Sequence, residues 1–592
     1  MKQIRHIVQW ANSNYRTSVG VTIALLTLWQ LVIATFGVDL CDTGYYLMFF
    51  EQIFFVPESV EYNFMYYLNG LIGGTLNDLL PTGGKWMLMR IAGVLCNVGV
   101  MVILARTLRW VLPATAVILG YLMVTASLVQ FPYTFNHDLM SALLWVIALV
   151  LMYRGLVDYS WDPWLELLLA GLVVGVNTFT RIPNVLALAL AVMPFIAQLH
   201  DRQPMGFRWK QSGIFIVGAL VGALFVILFM IMIGHWHIFV QNMSDLVGVA
   251  TGRSGEATHN VGDMVAVMLR YYGQCLYVGL KIFALWLALW LSNRYIVNRW
   301  LLWTVRLIVA ALALYLMWYQ SHVLHPLWVM CVAGTLWVIV RCGGGRAIAA
   351  WLGLFMLLVF PLGGDGATNN GGIIAWMAAP VAALLWQRRD YCILPLAFIA
   401  VGMVQTVTVG AYFDGGPLWH KTATVQDERA AMIHTTPERA RIINETLPEL
   451  KKLVGENERM LCYGSIPMMN YLTHTIPAIG CAWPELLSAE ALAARLNHPD
   501  VGRPAILRQK FNDLGPYWSE PTDDYLQAYP HQDKFLTQDK MDALNRFISE
   551  HNYHIVWQNK WFALYKEEIR QLTPEERLRR IILMGSVKLD VR

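Results

Sequence analysis

The chain has 592 residues, of which 57% are hydrophobic and 14% charged, and its formal net charge is +4. A soluble protein carries about 25% charged residues, so an ordinary cytosolic enzyme is excluded, and the apolar fraction excludes a disordered chain. The small net charge offers no electrostatic case for nucleic acid.

The average hides a boundary. Residues 1–412 are 9% charged, whereas residues 413–592 are 26% charged. The first figure suits a membrane region and the second a soluble domain. The expected fold class is therefore a polytopic α-helical membrane protein, residues 1–412, with a C-terminal soluble α/β domain, residues 413–592.

A bilayer core takes about 20 apolar residues of helix. The apolar runs are continuous and lack strand-like alternation, so helices rather than a barrel are expected. About 13 transmembrane helices follow, near residues 18–38, 86–105, 111–130, 138–153, 164–180, 183–199, 213–233, 273–291, 301–319, 325–340, 347–361, 373–386 and 393–411. The first is too long for a cleaved signal peptide and has no small-residue cleavage site.

Lysine and arginine fix the orientation. With the N-terminus cytoplasmic, the inner segments hold 15 basic residues and the outer loops only Lys85, Arg181, Arg253 and Arg270. The odd number of spans then puts the C-terminal domain in the periplasm of a bacterial inner (cytoplasmic) membrane. The same threading puts eleven acids of the membrane region, with His137, His235, His237 and His259, on the outer side. The chemistry is expected there.

The first outer loop, residues 39–85, is long. It begins Asp39-Leu40-Cys41-Asp42-Thr43-Gly44-Tyr45-Tyr46 and contains two apolar, aromatic stretches, 44–56 and 62–77, that suit interfacial helices. Two carboxylates three residues apart can serve as general base or metal ligand. They can equally cap a helix that starts at Thr43. In the second outer loop, His137 and Asp138 follow Asn136 close to the membrane surface. They suit a substrate contact, or Asn136 caps the next helix and Asp138 favours its dipole.

Arg181 is nearly alone between two apolar spans. An arginine at that depth is costly and usually paired or functional, and its planar fork suits phosphate. The fourth loop carries Arg253, Glu256 and His259 in a Gly/Ser-rich stretch, then Arg270 near the headgroup plane, with Lys281 deeper. A glycine-rich loop later holds Asp365 and Asn369. Its turns expose backbone N–H groups that can meet an anion or a sugar hydroxyl. Five of the six outer loops thus hold polar groups, and the span centres hold almost none. A transporter or flippase would place ionisable residues at mid-span.

In the C-terminal domain, 427–452 reads as a helix and 459–464 as a strand ending in Gly, followed by a helix over 468–472. A strand at 504–510, a helix at 540–550, a hairpin at 553–558 and 561–566 and a charged helix at 573–584 complete an α/β pattern. Cys462 and Cys481 share this domain, and spacing alone leaves their pairing open.

Asp42-Thr43-Gly44-Tyr45-Tyr46 resembles the Asp-Glu-Gly-Tyr-Tyr-type start of the first outer loop in the GT-C superfamily of membrane glycosyltransferases, in bacterial members related to the aminoarabinose and protein-mannosyl transferases. The span number and the C-terminal periplasmic domain resemble that superfamily too. The resemblance implies an inverting glycosyltransferase that takes a sugar from a polyprenyl-phosphate donor. The acceptor is a glycan, a lipid or a protein. It implies Asp42 as base, with Asp39 as substitute or helper. Arg181, Arg270 and, less favourably placed, Lys281 then bind the donor phosphate. His137, Asp138, Arg253, Glu256, His259, Asp365 and Asn369 contact substrate. No organic cofactor is implied, and a divalent metal ion is the one optional group. Membrane lipids are the remaining partners. A polysaccharide polymerase or ligase, using the same class of lipid-linked donor, is the competing reading.

Overall fold

The computed structural model describes residues 2–157, 162–199, 203–250, 261–319, 324–362, 371–388, 390–524, 527 and 537–567. Seven of its helices are long and apolar enough to cross a membrane: Tyr15–Ala34, Lys85–Leu108, His137–Val157, Met205–Met232, Val265–Tyr295, Arg299–Tyr319 and Leu324–Arg341. Shorter apolar helices stand beside them, Ala114–Ala126, Pro163–Asn177, Ile182–Ala197, Gly344–Val359 and Ile393–Thr408. Every expected span thus meets a helix. Two are irregular: Ile182–Val192 is a tight 3-10 helix, and the run over 373–386 is broken, with Ala378–Trp386 its longest piece. Pro194 and Pro380 sit in these segments, and proline removes an amide donor from the helical ladder.

Close packing in lipid needs small residues at the contact. Glycine supplies them where helices Pro163–Asn177 and Met205–Met232 cross. A methyl on Gly171 or Gly175 would strike the backbone of the second helix, and one on Gly218 or Gly222 the backbone of the first.

The helix bundle has two distinct ends. At one, Thr115 bonds Asn12 and Gln387, Arg346 bonds the Val111 carbonyl and Arg154 pairs with Glu166. At the other, the Gly84 amide donates to Glu428 of the C-terminal region. Helix Lys85–Leu108 connects the two, and its 24 residues span roughly 36 Å at 1.5 Å per residue.

The first long connection forms helices Asp42–Gln52 and Tyr67–Leu79, joined through a 3-10 segment, Pro57–Tyr66. The first of these is buried along most of its length, wedged between its neighbour and the C-terminal helix Pro467–Thr473. Phe54, Phe55, Ile72 and Leu79 stay exposed around it.

The C-terminal region is built on a five-stranded mixed sheet in the order Ile476–Pro477, Arg459–Tyr463, Ala505–Gln509, Phe562–Glu567, Tyr553–Gln558. The first three strands run parallel. The last two form the expected antiparallel hairpin, whose turn is held by Asn559 accepting from the amides of Trp561 and Phe562. Helix Gln538–Glu550 also lies where expected. One expected helix is corrected. It begins at Pro437, not 427, because Thr436 caps it and Pro437 occupies its first turn, while His434–Thr435 pairs as a short strand. The segment expected to be helical over 573–584 lies outside the described residues. All eight cysteines are free, Cys462 and Cys481 included, and both of these are buried.

Main-chain bonds weld this region to the first connection. Gly37 and Thr35 exchange bonds with His434, Met468 donates to Leu40, and Tyr62 donates to Gly480. A buried charge cluster reinforces the seam. Asp414 accepts from Lys421 at 2.6 Å, from the Val38 amide at 2.9 Å and from the Thr435 hydroxyl at 2.6 Å, and pairs with Arg439 at 2.9 Å.

Candidate active site

The site assembles where the first connection meets the ends of two apolar helices. Asp39 begins it as a helix cap. Its carboxylate accepts from the amides of Cys41 at 2.8 Å and Thr43 at 2.7 Å, satisfying donors that the first turn leaves free. Burial raises the Asp39 pKa, against those two amide bonds and the nearby Arg90, which lower it.

Asp42 lies in the first turn of helix Asp42–Gln52 and is half-buried. The Tyr412 hydroxyl donates to its carboxylate. Burial, and then the charge of Asp42, push the Tyr412 phenol well above its ordinary range. It therefore stays protonated and acts as a donor. Four residues after Asp42, Tyr46 lies on the same helix face. Burial raises its phenol too, followed by Asp42, Tyr66 and Asp138, so these groups share one locality.

The turn before helix His137–Val157 supplies the facing wall. Asn136 caps helix His137–Val157 by accepting from the amides of Asp138 and Leu139 at 3.0 Å each. His137 stacks on Tyr66, with ring centres 3.9 Å apart, and its centre is 5.5 Å from that of Tyr46. Its Nε2 is 3.5 Å from an Asp138 carboxylate oxygen. Arg181 reaches the same oxygen at 3.7 Å, and its guanidinium covers the Phe360 ring at 5.3 Å. The Arg181 side chain is only 6% exposed, whereas that of Asp138 is 26% exposed. Arg181 is thus a buried cation paired with a more open carboxylate, beside the tyrosines.

Behind Asp42, a cavity of about 10 Å³ is lined by Asp39, Thr43, Arg90, Thr134 and Tyr412, among others, enough for one water. Arg90 holds its rim by donating to the carbonyls of Ala34, Phe36 and Gly37.

The structure thus brings Asp42, His137, Asp138 and Arg181 together, with Asp39 just behind as a cap. It does not join Arg270 or Lys281 to them among the described residues. Both lie exposed on helix Val261–Tyr295, with the Lys281 ammonium 3.9 Å over the Tyr277 ring. Arg253, Glu256, His259, Asp365 and Asn369 lie outside the described residues. The described residues hold no group of three or more His, Cys, Asp or Glu side chains placed to bind a metal. Each Asp39 oxygen accepts from a backbone amide, and Asp42 accepts from the Tyr412 hydroxyl.

Sequence reasoning missed Tyr412, which lies 370 residues from its partner, and the tie made by Arg90. Tyr46 stood inside the quoted motif, and its spacing from Asp42 carried the signal.

No protein-family model matches the chain, and no curated protein matches it. Among solved structures, its fold is similar to the crystal structure of ArnT from Cupriavidus metallidurans bound to undecaprenyl phosphate. The identity is 11% and the TM-score 0.39, over 94% of this chain and 99% of that one. A likeness of that degree carries nothing across to the residues or chemistry of this chain.

Proposed function

We propose that the chain is an inverting membrane glycosyltransferase that moves a sugar from a polyprenyl-phosphate donor to an acceptor hydroxyl at the periplasmic face. The observation that carries this reading is that Tyr46 lies near both Asp42 and Asp138, and Asp138 pairs with Arg181, at one end of an apolar bundle. Asp42 takes the acceptor proton as the hydroxyl oxygen bonds to the anomeric carbon. The bond from that carbon to the phosphate oxygen breaks on the opposite side, so the configuration inverts. Negative charge develops on the departing lipid phosphate, and a fixed cation there lowers the barrier. In this reading Arg181 supplies that charge, held by Asp138, which His137 flanks. Tyr412 positions Asp42. No step requires a metal.

The orientation follows from charge. The end of the bundle marked by Asn12, Thr115 and Gln387 carries the arginine-rich turns, and the positive-inside rule places that end in the cytoplasm. The carboxylate cluster then faces the periplasm, where lipid-linked rather than nucleotide-linked sugars are the available donors.

The test is transfer from polyprenyl-phosphate sugars by the purified full chain. Asp42→Asn is expected to lower kcat by on the order of 10²-fold or more, the scale of general-base catalysis, with thermal stability retained. Parent-like turnover in Asp42→Asn would reject the assignment.

A further inference from the structure

At the end of the bundle opposite Asp42, a cavity of about 660 Å³ opens where helices Val261–Tyr295 and Arg299–Tyr319 turn into one another beside the segment before Ile393. Arg299, Arg306, Arg388, Asp390, Trp303 and Tyr391 line it. Three guanidinium groups face one carboxylate, an excess of two positive charges. Arg306 lies about two turns into its helix and binds Asp390 at 2.9 Å and Asn293 at 3.2 Å. Its Nε is buried and unpartnered among the described residues. Arg388 stands over the Trp337 ring at 4.4 Å, which leaves its edge donors for another acceptor. Asn298 caps helix Arg299–Tyr319, so the positive end of that helix points the same way.

The surroundings are those of a membrane interface. Tyr295, Trp300 and Trp303 are exposed around the opening, Trp300 at 83%, and aromatic side chains settle at the headgroup level of a bilayer. A basic pocket between span ends at that depth matches the charge and geometry of a phosphodiester. We infer that this cavity binds the headgroup of an anionic phospholipid, with Arg299, Arg306 and Arg388 on the phosphate and Trp303 and Tyr391 against the glycerol and upper acyl chains. The inference does not rest on the proposed transferase activity, since none of these residues belongs to the Asp42 cluster.

The test uses the full chain in mild detergent, titrated with dioctanoyl phosphatidylglycerol, dioctanoyl phosphatidylcholine or inorganic phosphate, and read by native mass spectrometry. The parent is expected to retain phosphatidylglycerol at least tenfold more tightly than phosphatidylcholine. Arg299→Gln combined with Arg388→Gln, both exposed positions, is expected to lose at least fivefold of that affinity with an unchanged melting temperature. Asp390→Asn, which removes the opposing charge, is expected to strengthen it. Equal retention of the two lipids overturns the inference, and so does parent-like binding in the double variant. Displacement of the lipid by inorganic phosphate at matching concentration overturns the lipid headgroup as the occupant.

Discussion

Gly44 sits two residues after Asp42, where the first-connection helix touches the C-terminal region backbone to backbone. A methyl group at this position would lie 2.7 Å from the Pro467 carbonyl carbon and nearer still to the Met468 amide nitrogen and Cα. Ordinary carbon contacts lie at about 3.5–4.0 Å, so Gly44→Ala forces the two segments apart by on the order of 1 Å. The neighbouring bond from the Met468 amide to the Leu40 carbonyl, 2.9 Å long, is stretched by the same movement. Overpacking costs about 1–3 kcal/mol, and an unpaired buried amide costs about 1–3 kcal/mol more. A loss of roughly 3 kcal/mol is expected. Because a misplacement of about 1 Å costs on the order of 10²-fold in rate, transfer should fall by that factor even where the protein still folds. Purified variants are compared by sugar transfer and by thermal unfolding in detergent. Gly44→Ala with parent stability and parent turnover would refute the claim that this contact holds Asp42 in place.

Three further outcomes follow from the same geometry. Arg181→Lys keeps the charge but loses the planar fork, so kcat should fall by about tenfold or more, and Arg181→Gln should cost on the order of 10²–10³-fold; equal rates for the two variants and the parent in the transfer assay would dismiss Arg181. Asp414→Asn leaves Lys421 and Arg439 buried against a neutral group. Removing one partner of a buried pair costs about 3–5 kcal/mol, so thermal unfolding should shift down and proteolysis should open the seam at residues 413–440. Burial, opposed chiefly by the bond from Gln509, raises the Asp513 carboxyl well above the usual carboxylate range. A raised carboxyl favours the protonated fold. Its stabilising contribution is complete below the ordinary carboxylate pKa and is lost as pH rises through the raised value. Asp513→Asn should therefore flatten the fall in melting temperature across that interval, and an unchanged pH profile would count against it.

The membrane helices were legible because lipid imposes a local rule. Each run must be apolar for about 20 residues and satisfy its own backbone, so Tyr15–Ala34 or His137–Val157 can be read from neighbours alone. The short strand and helix around 459–473 were legible for a similar reason, since a short apolar run closed by glycine is a local signal. The start of the helix at Pro437 was misread because the residues before it form a short strand pair, 423–424 with 434–435, whose His434 is further tied to Thr35 and Gly37, about 400 positions away. In the candidate site, Asp42 stood out by its motif and Arg181 by its isolation in an apolar stretch. Arg270 was singled out by its place near the headgroup plane and Lys281, deeper, less favourably, and a position along one helix does not show what packs beside it.

The sequence by itself therefore determined which segments are apolar, where charge collects and which residue types offer acid–base or phosphate chemistry. Only the tertiary structure decided that Asp39 caps a helix while Asp42 meets Tyr412, that Arg181 joins the carboxylates while Lys281 lies over Tyr277, and that Asp414 locks the C-terminal region down. The first kind of information depends on the transfer of single side chains between water and lipid. The second depends on contacts between residues hundreds of positions apart, whose pairing follows from how whole helices pack.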